Sequence, residues 1–370
     1  MAFAERKALY EQIEAKRKKP LIAYVTSSRH NASAQMGGDV IPEYSKQILR
    51  LPNDLKSVDL LIVSNGGDPT VAWRVICMLR EKVEHISVLL PNAAFSAATL
   101  LALGANEIIM HPFANLGPVD PQLVSVKKSS GAGGQPEVSS FGSEDLRNYL
   151  EFVKKDVGIS DQEQLEKAFE LVGKEIGTIQ IGAARRSSYL ALSMGEKLLE
   201  LHMKDDKSKA KAIAETLNKS FYYHGYPVGR KEAKEIGLPI VDADEALETL
   251  LWQVWEDIEN EMQCNKPFNP LEVVFSSPAM AAILAPVPQV QIPPNLDPQM
   301  LQMAIAQIMQ QIKIVQVPPI DYELFMATLE SARCRSEFRV KLKINAVRQP
   351  DLNIAVSVAN VAQQWTFSVA

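Results

Sequence analysis

The chain has 370 residues, of which 46% are hydrophobic and 22% charged, so it contains enough apolar surface for a main domain and a smaller additional unit. A net charge of −5 excludes the broad positive field by which proteins bind nucleic acid. The charged run at 5–7 stands where a signal peptide needs an apolar core, and no run of about 18 apolar residues predicts a membrane span.

Cysteine usage indicates the compartment. The cysteines are few, odd in number and without the spacing of metal ligands: Cys77, Cys264 and Cys334. A disulfide framework would need paired cysteines in larger number, so this usage is typical of a reducing environment. We therefore expect a cytoplasmic protein.

Strands and helices alternate through the first third of the chain. Helical spacing is seen at 3–18, 41–51, 70–82 and 96–104, and strand-like apolar runs at 20–28, 58–64, 85–91 and 106–112. Strands that alternate with helices pair in parallel through right-handed crossovers. The sequence therefore predicts an α/β fold.

The periodicity changes after this region. Residues 127–143, KKSSGAGGQPEVSSFGS, have the composition of a flexible loop. Amphipathic helices are predicted at 143–156, 161–174, 177–203 and 206–219, then a helix at 230–239 that Gly237 ends, and a strand leading into a helix over 240–262.

A composition boundary lies near Cys264. Residues 267–319 are rich in proline and contain a Met- and Gln-rich segment, 299–316, which offers a contact surface for a partner subunit. Alternating residues at 336–347 and 352–369 predict strands. We therefore divide the chain into an N-terminal helix (1–19), a main α/β domain (20–264), a Pro/Met/Gln-rich linker (265–320) and a small β-rich unit (321–370).

Two loops follow predicted parallel strands, at the sheet edge where open α/β sheets bind ligands. The first, SNGGDP, lacks the lysine of a phosphate loop and the third glycine of a dinucleotide-binding loop. Its paired glycines either form a tight turn between strand and helix or turn a backbone amide outward.

The second loop, PNAAFSAATLLALG, places Ser96 among small residues at the start of an apolar helix. The hydroxyl there is either a helix N-cap or a nucleophile at a site that favours negative charge. If the loops meet, the N–H groups of Gly67 and Ala97 can form an oxyanion hole around an acyl oxygen attacked by Ser96.

A serine nucleophile needs a base, and the sequence offers two candidate histidines. His224 lies in FYYHGYP, surrounded by tyrosines in a turn, although a structural histidine is equally compatible with that setting. His111 ends the strand that follows the Ser96 helix. The remaining histidines are expected at the surface: His30, His85 and His202.

The acid that would orient the base is expected in a rigid segment. Asp120 lies in NLGPVDPQ, which glycine and proline frame, and this suits a residue that holds an imidazole tautomer. Asp145 and Asp242 compete for the role, and both fit exposed positions.

Three motifs in this order carry a family resemblance: VDLLIVSNGGDPTVA, then PNAAFSAATLLALGANEIIMHPFANLGPVDPQL, then YHGYPVGRKEAKEIGL. Over roughly residues 20–245 the chain resembles the serine dehydrogenase proteinase family, which is related to Clp peptidases and signal peptide peptidase A in the ClpP/crotonase superfamily. The resemblance implies a ClpP/crotonase-like ββα superhelix and peptide-bond hydrolysis without a metal or organic cofactor. The helical additions and the small C-terminal β-rich region are predicted from periodicity alone, since the region after about residue 265 has no counterpart in the family. It also implies a Ser96–Asp120–His224 triad, with the amides of Gly67 and Ala97 as oxyanion hole.

The chain departs from two relatives at the base. Clp peptidases have their histidine shortly after the serine. The corresponding region of this chain contains residues 118–121, PVDP, and no histidine. Signal peptide peptidase A uses a lysine, and SSFGSEDLRNYLEF has none at the expected place. The nearby lysines are out of register: Lys127, Lys128 and Lys154.

The sequence therefore predicts a cytoplasmic serine peptidase that acts on peptides or proteins and forms a homo-oligomer, without nucleic-acid partners or a membrane span. Two alternatives remain open. One is a catalytically inactive scaffold or interaction module that uses the C-terminal region. The other is a crotonase-like acyl-CoA enzyme, which shares the oxyanion hole.

Overall fold

A computed structural model describes residues 3–127, 137–219, 221, 223–285, 297–311 and 314–369. The helices are α1 (Phe3–Arg17), α2 (Ile41–Ile48), α3 (Pro69–Arg80), α4 (Ala97–Leu103), α5 (Ser143–Lys155), α6 (Gln162–Ile176), α7 (Thr178–Glu200), α8 (Lys207–Lys219), α9 (Arg230–Ile236), α10 (Glu245–Met262), α11 (Pro270–Phe275), α12 (Pro278–Leu284) and α13 (Pro298–Gln311). The strands are β1 (Leu21–Thr26), β2 (Ser57–Val63), β3 (His85–Leu90), β4 (Ala93–Ala94), β5 (Glu107–Met110), β6 (Asn115–Leu116), β7 (Gln122–Lys127), β8 (Glu137–Gly142), β9 (Val228–Gly229), β10 (Ile240–Val241), β11 (Val315–Gln316), β12 (Ile320–Glu330), β13 (Cys334–Arg348) and β14 (Ile354–Val369).

A parallel sheet in the order β10-β5-β3-β2-β1 forms the centre of the molecule. Its strands are apolar runs because helices cover both faces. Side chains such as Tyr24, Leu60 and Val88 lie in one core with α2, α3, α4, α7 and α8. Their neighbours along the strands, such as Leu61 and Leu89, pack on the other face against α1 and α10. Successive side chains thus divide between two cores, as the alternation of a strand requires.

The C-terminal strands extend the same sheet. Strand β12 pairs antiparallel with β1, with Ala23 opposite Glu330, and β13 pairs with β12, β11 and β14. A third core lies between these strands and α11 and α12. The predicted α/β architecture with helical additions and a C-terminal β-rich region is confirmed.

Helices also occur within 265–320, which composition predicted as a linker. Pro270 and Pro278 stand in the first turns of α11 and α12, where the missing N–H of proline has no intrahelical partner to lose. Helix α13 carries the Met-rich segment and exposes Met300 and Met303. Three of the ten prolines in this region, Pro270, Pro278 and Pro298, therefore begin helices.

One loop prediction was wrong in part. Residues 137–142 of the predicted loop 127–143 form β8, which pairs antiparallel with β7 from Gln122↔Gly142 to Lys127↔Glu137. The sequence did not predict this hairpin because the many serines and glycines of the segment are typical of loops, and its runs of β-forming residues are short. The rest of the predicted loop, 128–136, lies outside the described residues.

The two loops singled out in the sequence, around Gly67 and Ser96, lie at the carboxyl ends of β2 and β3. A small sheet in the order β4-β6-β9 lies beside these strand ends and joins the loops after β3 and β5 to the segment before α9.

No helix within the described ranges combines the length and the apolar character that a membrane crossing requires.

Candidate active site

The glycine turn after β2 has a backbone that only glycine adopts readily. Gly66 and Gly67 have φ values of 94° and 146°. A Cβ on Gly66 would lie 2.5 Å from the carbonyl oxygen of Phe95 and 2.8 Å from the Cβ of Ser96. The turn therefore touches the serine loop through bare backbone, and the two loops meet.

Backbone pairing with Met36 fixes the orientation of this turn. The Met36 N–H donates to the carbonyl of Gly66 at 2.7 Å, and the Asp68 N–H donates to the carbonyl of Met36 at 2.9 Å. The N–H of Gly67 donates to no described residue. A donor held by flanking hydrogen bonds but not itself used is suited to an anion.

Ser96 occupies a strained backbone conformation, with φ 52° and ψ −115°. Such a conformation costs of order 1–3 kcal/mol and persists only where the surroundings impose it. The loop is held by the Phe95 N–H on the carbonyl of Ser64 at 3.0 Å, and by the Thr99 hydroxyl on the carbonyls of Ala94 and Gly117 at 2.8 and 2.9 Å.

The side chain of Ser96 forms no capping hydrogen bond with α4. The serine is therefore not the helix N-cap that the sequence left open as an alternative to a nucleophile. Among the described residues its hydroxyl has no hydrogen-bond partner, and neither has the N–H of Ala97. A hydroxyl held in a strained turn, without a structural bond, is available to a substrate.

His224 and Asp120 are in direct contact although 104 residues separate them. The Nδ1 of His224 lies 2.6 Å from Oδ1 of Asp120, and Asp120 also accepts from Nε2 of Gln122 at 3.1 Å. Asp120 is buried, whereas the imidazole is about half-buried. The hydrogen bond to Asp120 raises the pKa of His224 above its ordinary value, against the opposing effect of burial.

The loop that carries Asp120 is anchored by α8. The Nδ2 of Asn218 donates to the carbonyl of Val119 at 2.8 Å, and the Val119 N–H donates to the carbonyl of Leu217. The sequence offered no signal for Asn218, because its partner lies 99 residues away.

One cavity of about 410 Å³ is lined by both loops and by the candidate base. Its walls include Gly67, Ser96 and His224, together with apolar side chains of α4, the 119–123 segment and α7. The Ser96 hydroxyl and His224 do not form a hydrogen bond with each other in this structure. Sequence reasoning missed the contribution of α7, which supplies Ser187, Leu190 and Ala191 to the wall.

The competing acids have other partners. Asp145 accepts from the N–H of Gly142 at 2.6 Å, at the start of α5. Asp242 is exposed and pairs with Lys234 at 2.7 Å. Neither forms a hydrogen bond with His224.

The other histidines lie elsewhere. His111 accepts from the Phe113 N–H and packs against Trp252 with 4.9 Å between ring centroids. His30 is exposed, as predicted. His202 and His85 are not simply surface residues: His202 bonds to the carbonyl of Leu103 at 2.9 Å, and the Nδ1 of His85 is buried without a partner among the described residues.

The described part of the chain gives no support for a lysine as the base that activates Ser96. Lys154 is exposed on α5 and lines a different cavity, beside α6. The side chain of Lys127, and Lys128 as a whole, lie outside the described residues. No cluster of histidine, cysteine, aspartate or glutamate in the described ranges has the arrangement of a metal site.

The chain is similar in sequence to two archaeal proteins. Two uncharacterized proteins of Methanocaldococcus jannaschii, MJ0137 and MJ1495, are 30% and 28% identical to the chain over 204 residues. The alignments cover 54% of this chain and 59% and 58% of those proteins, so the chain spans somewhat more than half the length of these relatives.

Solved structures to which the chain is similar include a mutant of the 1510-N membrane-bound stomatin-specific protease, 13% identical with a TM-score of 0.36, covering 62% of this chain and 82% of that one. ClpP1 from Listeria monocytogenes is 12% identical with a TM-score of 0.30, covering 64% and 98%. The family of ClpP-like SDH-type serine proteinases matches residues 2–132, which include the glycine turn, Ser96 and Asp120. The resemblance predicted from the first two motifs is thereby confirmed: residues 2–132, about the first third of the chain, are similar to the ClpP-like SDH-type serine proteinases.

Proposed function

We propose that the chain is a serine peptidase whose nucleophile is Ser96, whose base is His224 and whose orienting acid is Asp120. The observation that carries the proposal is the 2.6 Å contact between Nδ1 of His224 and Oδ1 of Asp120, on an imidazole that lines the same cavity as Ser96. An imidazole bonded to a carboxylate at one nitrogen presents the other to a hydroxyl, which is the arrangement of an acyl-transfer triad.

The chemistry follows from these positions. Ser96 Oγ attacks the substrate carbonyl as Nε2 of His224 takes its proton, and Asp120 stabilises the imidazolium. The N–H groups of Gly67 and Ala97 donate to the oxygen that becomes negative. His224 then protonates the leaving amine, and a water molecule, activated by the same imidazole, hydrolyses the acyl-enzyme on Ser96.

Closure of the gap between Ser96 and His224 is part of the proposal. Catalytic hydrogen bonds are often long in free enzymes and shorten when a substrate binds. His224 lies between α8 and β9, and we propose that its imidazole approaches Ser96 when a substrate binds.

A fluorophosphonate probe tests the nucleophile. We expect the wild type to be labelled and Ser96→Ala to be unlabelled, since loss of such a nucleophile costs on the order of 10⁶ in turnover. Ser187→Ala is the matched control because Ser187 lines the same cavity. Equal labelling of the Ser96→Ala variant, or loss of labelling in Ser187→Ala alone, would disprove the assignment.

The setting is proposed on composition. Three widely spaced cysteines support a cytoplasmic enzyme, and we propose peptides or proteins as substrates and 20–264 as the peptidase domain. A wild type that never labels would favour the inactive scaffold instead. Binding of coenzyme A, measured by calorimetry, would favour the acyl-CoA enzyme.

A further inference from the structure

Strand β14 is a long strand at the edge of the sheet. It pairs with β13 along one side for its whole length, from Cys334↔Val369 to Arg348↔Ile354. No strand in the described part of the chain pairs with its other side. About half of its 16 residues therefore direct their N–H and C=O groups outward, ready to bind another strand.

This strand lacks most of the features that keep edge strands apart. Proteins protect long edges with charged residues, prolines, short length or bulges. Residues 352–369, LNIAVSVANVAQQWTFSV, contain no Asp, Glu, Lys, Arg or Pro, and the one protective feature of β14 is a single bulge, in which Val361 is the extra residue opposite Lys341 and Leu342. Val358, Val361 and Val369 are exposed along it.

The neighbouring strands show that the absence of charge is particular to β14. Strand β13 carries Arg335, Glu337, Arg339, Lys341 and Lys343 at alternate positions. Strand β12 carries Asp321 and Glu323, which lie 3.8 Å from Lys343 and 3.5 Å from Arg339. Charge therefore covers this face of the sheet up to β13 and stops at the edge.

Contacts hold β14 in an extended shape before any partner arrives. Ile354 and Val356 pack on the third core near its start, and the Nε1 of Trp365 donates to Asp39 at 2.7 Å near its end. A strand that is already ordered loses little entropy when another strand is added to it.

We propose that β14 pairs antiparallel with β14 of a second copy of this chain, about a two-fold axis near Val361 and Ala362, the middle of the strand. Full overlap joins two sheets along about 50 Å. Because β14 is uncharged, self-pairing places no like charges opposite each other. A strand as charged as β13 would bring like charges together at most registers. A two-fold contact is also closed, so it leaves no further edge for growth of a fibre.

Charge reversal at the proposed axis tests the pairing. Val361→Lys and Val361→Glu each place like charges beside the axis, at an exposed position where folding tolerates the change. We expect each variant to have half the molecular mass of the wild type by light scattering, because the β14 contact is proposed to join the two halves of the assembly. Mixing the two variants is expected to restore the wild-type mass.

The control is Ile179→Lys, which changes another exposed apolar residue, on α7. It is expected to keep the wild-type mass, and all variants are to be checked for cooperative unfolding. The proposal is overturned if the wild type is a monomer at every concentration, if Val361→Lys leaves the mass unchanged, or if Ile179→Lys alone reduces it. Hydrogen exchange supplies a second readout, since dilution into monomers should remove the protection of outward amides in β14.

Discussion

At the scale of single residues, the proposed site centres on a serine hydroxyl that has no structural role in the described part of the chain. The Ser96 hydroxyl forms no bond that holds the fold together, and the strain at its backbone is imposed by the hydrogen bonds of its neighbours. His224 has one carboxylate partner, Asp120, whereas Asp145 serves the start of α5. These differences make the two acids separable by substitution.

We expect Asp120→Asn to reduce the rate of probe labelling by about 10⁴, as loss of the acid does in serine protease triads. The base acts when neutral, so labelling should increase as pH rises through the raised pKa of His224. Removal of the carboxylate removes the main cause of that raised pKa, and the acid limb of the pH profile should therefore move to lower pH.

The matched control is Asp145→Asn, whose carboxylate contacts the backbone of Gly142 and not the imidazole. It should keep both the rate and the position of the acid limb. If Asp145→Asn removes activity and Asp120→Asn does not, Asp145 is the acid and the observed contact with His224 is structural.

At the scale of elements, the glycine turn after β2 is the part most sensitive to substitution. Met36 pairs with it, and a Cβ on Gly67 would lie 2.3 Å from the Met36 carbonyl oxygen at a φ that side chains rarely adopt. The turn and the Ser96 loop are therefore matched to each other through backbone atoms alone.

Gly67→Ala is expected to displace this turn, lower stability by about 1–3 kcal/mol and slow labelling more than 100-fold, because an oxyanion donor is misplaced. Gly38→Ala is the control, since a Cβ there meets nothing within 4 Å. Thermal unfolding and labelling rate separate the two effects. A Gly67→Ala variant that labels at the wild-type rate would exclude this amide from the reaction.

At the scale of the whole molecule, a buried ionic cluster joins the C-terminal strands to the rest of the chain. The guanidinium of Arg6 on α1 donates two hydrogen bonds to Glu330 on β12, at 2.8 and 2.9 Å, and also contacts Asp257 on α10. Tyr10 and Arg335 bond to the same carboxylate. Burial alone would raise the pKa of Glu330, but the hydrogen bonds and charge of Arg6 lower it.

Glu330→Gln is expected to reduce the free energy of unfolding by about 3–5 kcal/mol, because it leaves the buried Arg6 charge without its main partner. Glu323→Gln, at an exposed ion pair, should change it by less than about 1 kcal/mol. A carboxylate with a lowered pKa stabilises the fold above its ordinary pKa and ceases to do so as pH falls through the lowered value. The difference between wild type and variant in urea unfolding should therefore shrink in acid; a constant difference would show that packing, not charge, is lost.

The sequence by itself determined most of the elements and indicated the family resemblance. Apolar periodicity is a local property, so most helices and strands, from β2 to α10 and again in β13 and β14, lie within a few residues of their predicted bounds. The loops around Gly67 and Ser96 carry enough local signal to indicate where chemistry would occur. Local signal failed at β8, where a serine- and glycine-rich composition concealed a strand.

Only the tertiary structure decided which distant groups meet. The sequence favoured Asp120 over Asp145 only by its rigid segment and the family resemblance, and the contact of Asp120 with His224 depends on how α8 holds the 119–121 loop. Likewise, nothing local shows that β12 joins β1 across the sheet, or that β14 is left at its edge. The physical reason is that periodicity encodes which face of an element is buried, whereas contacts between remote residues arise only when all the buried faces pack together.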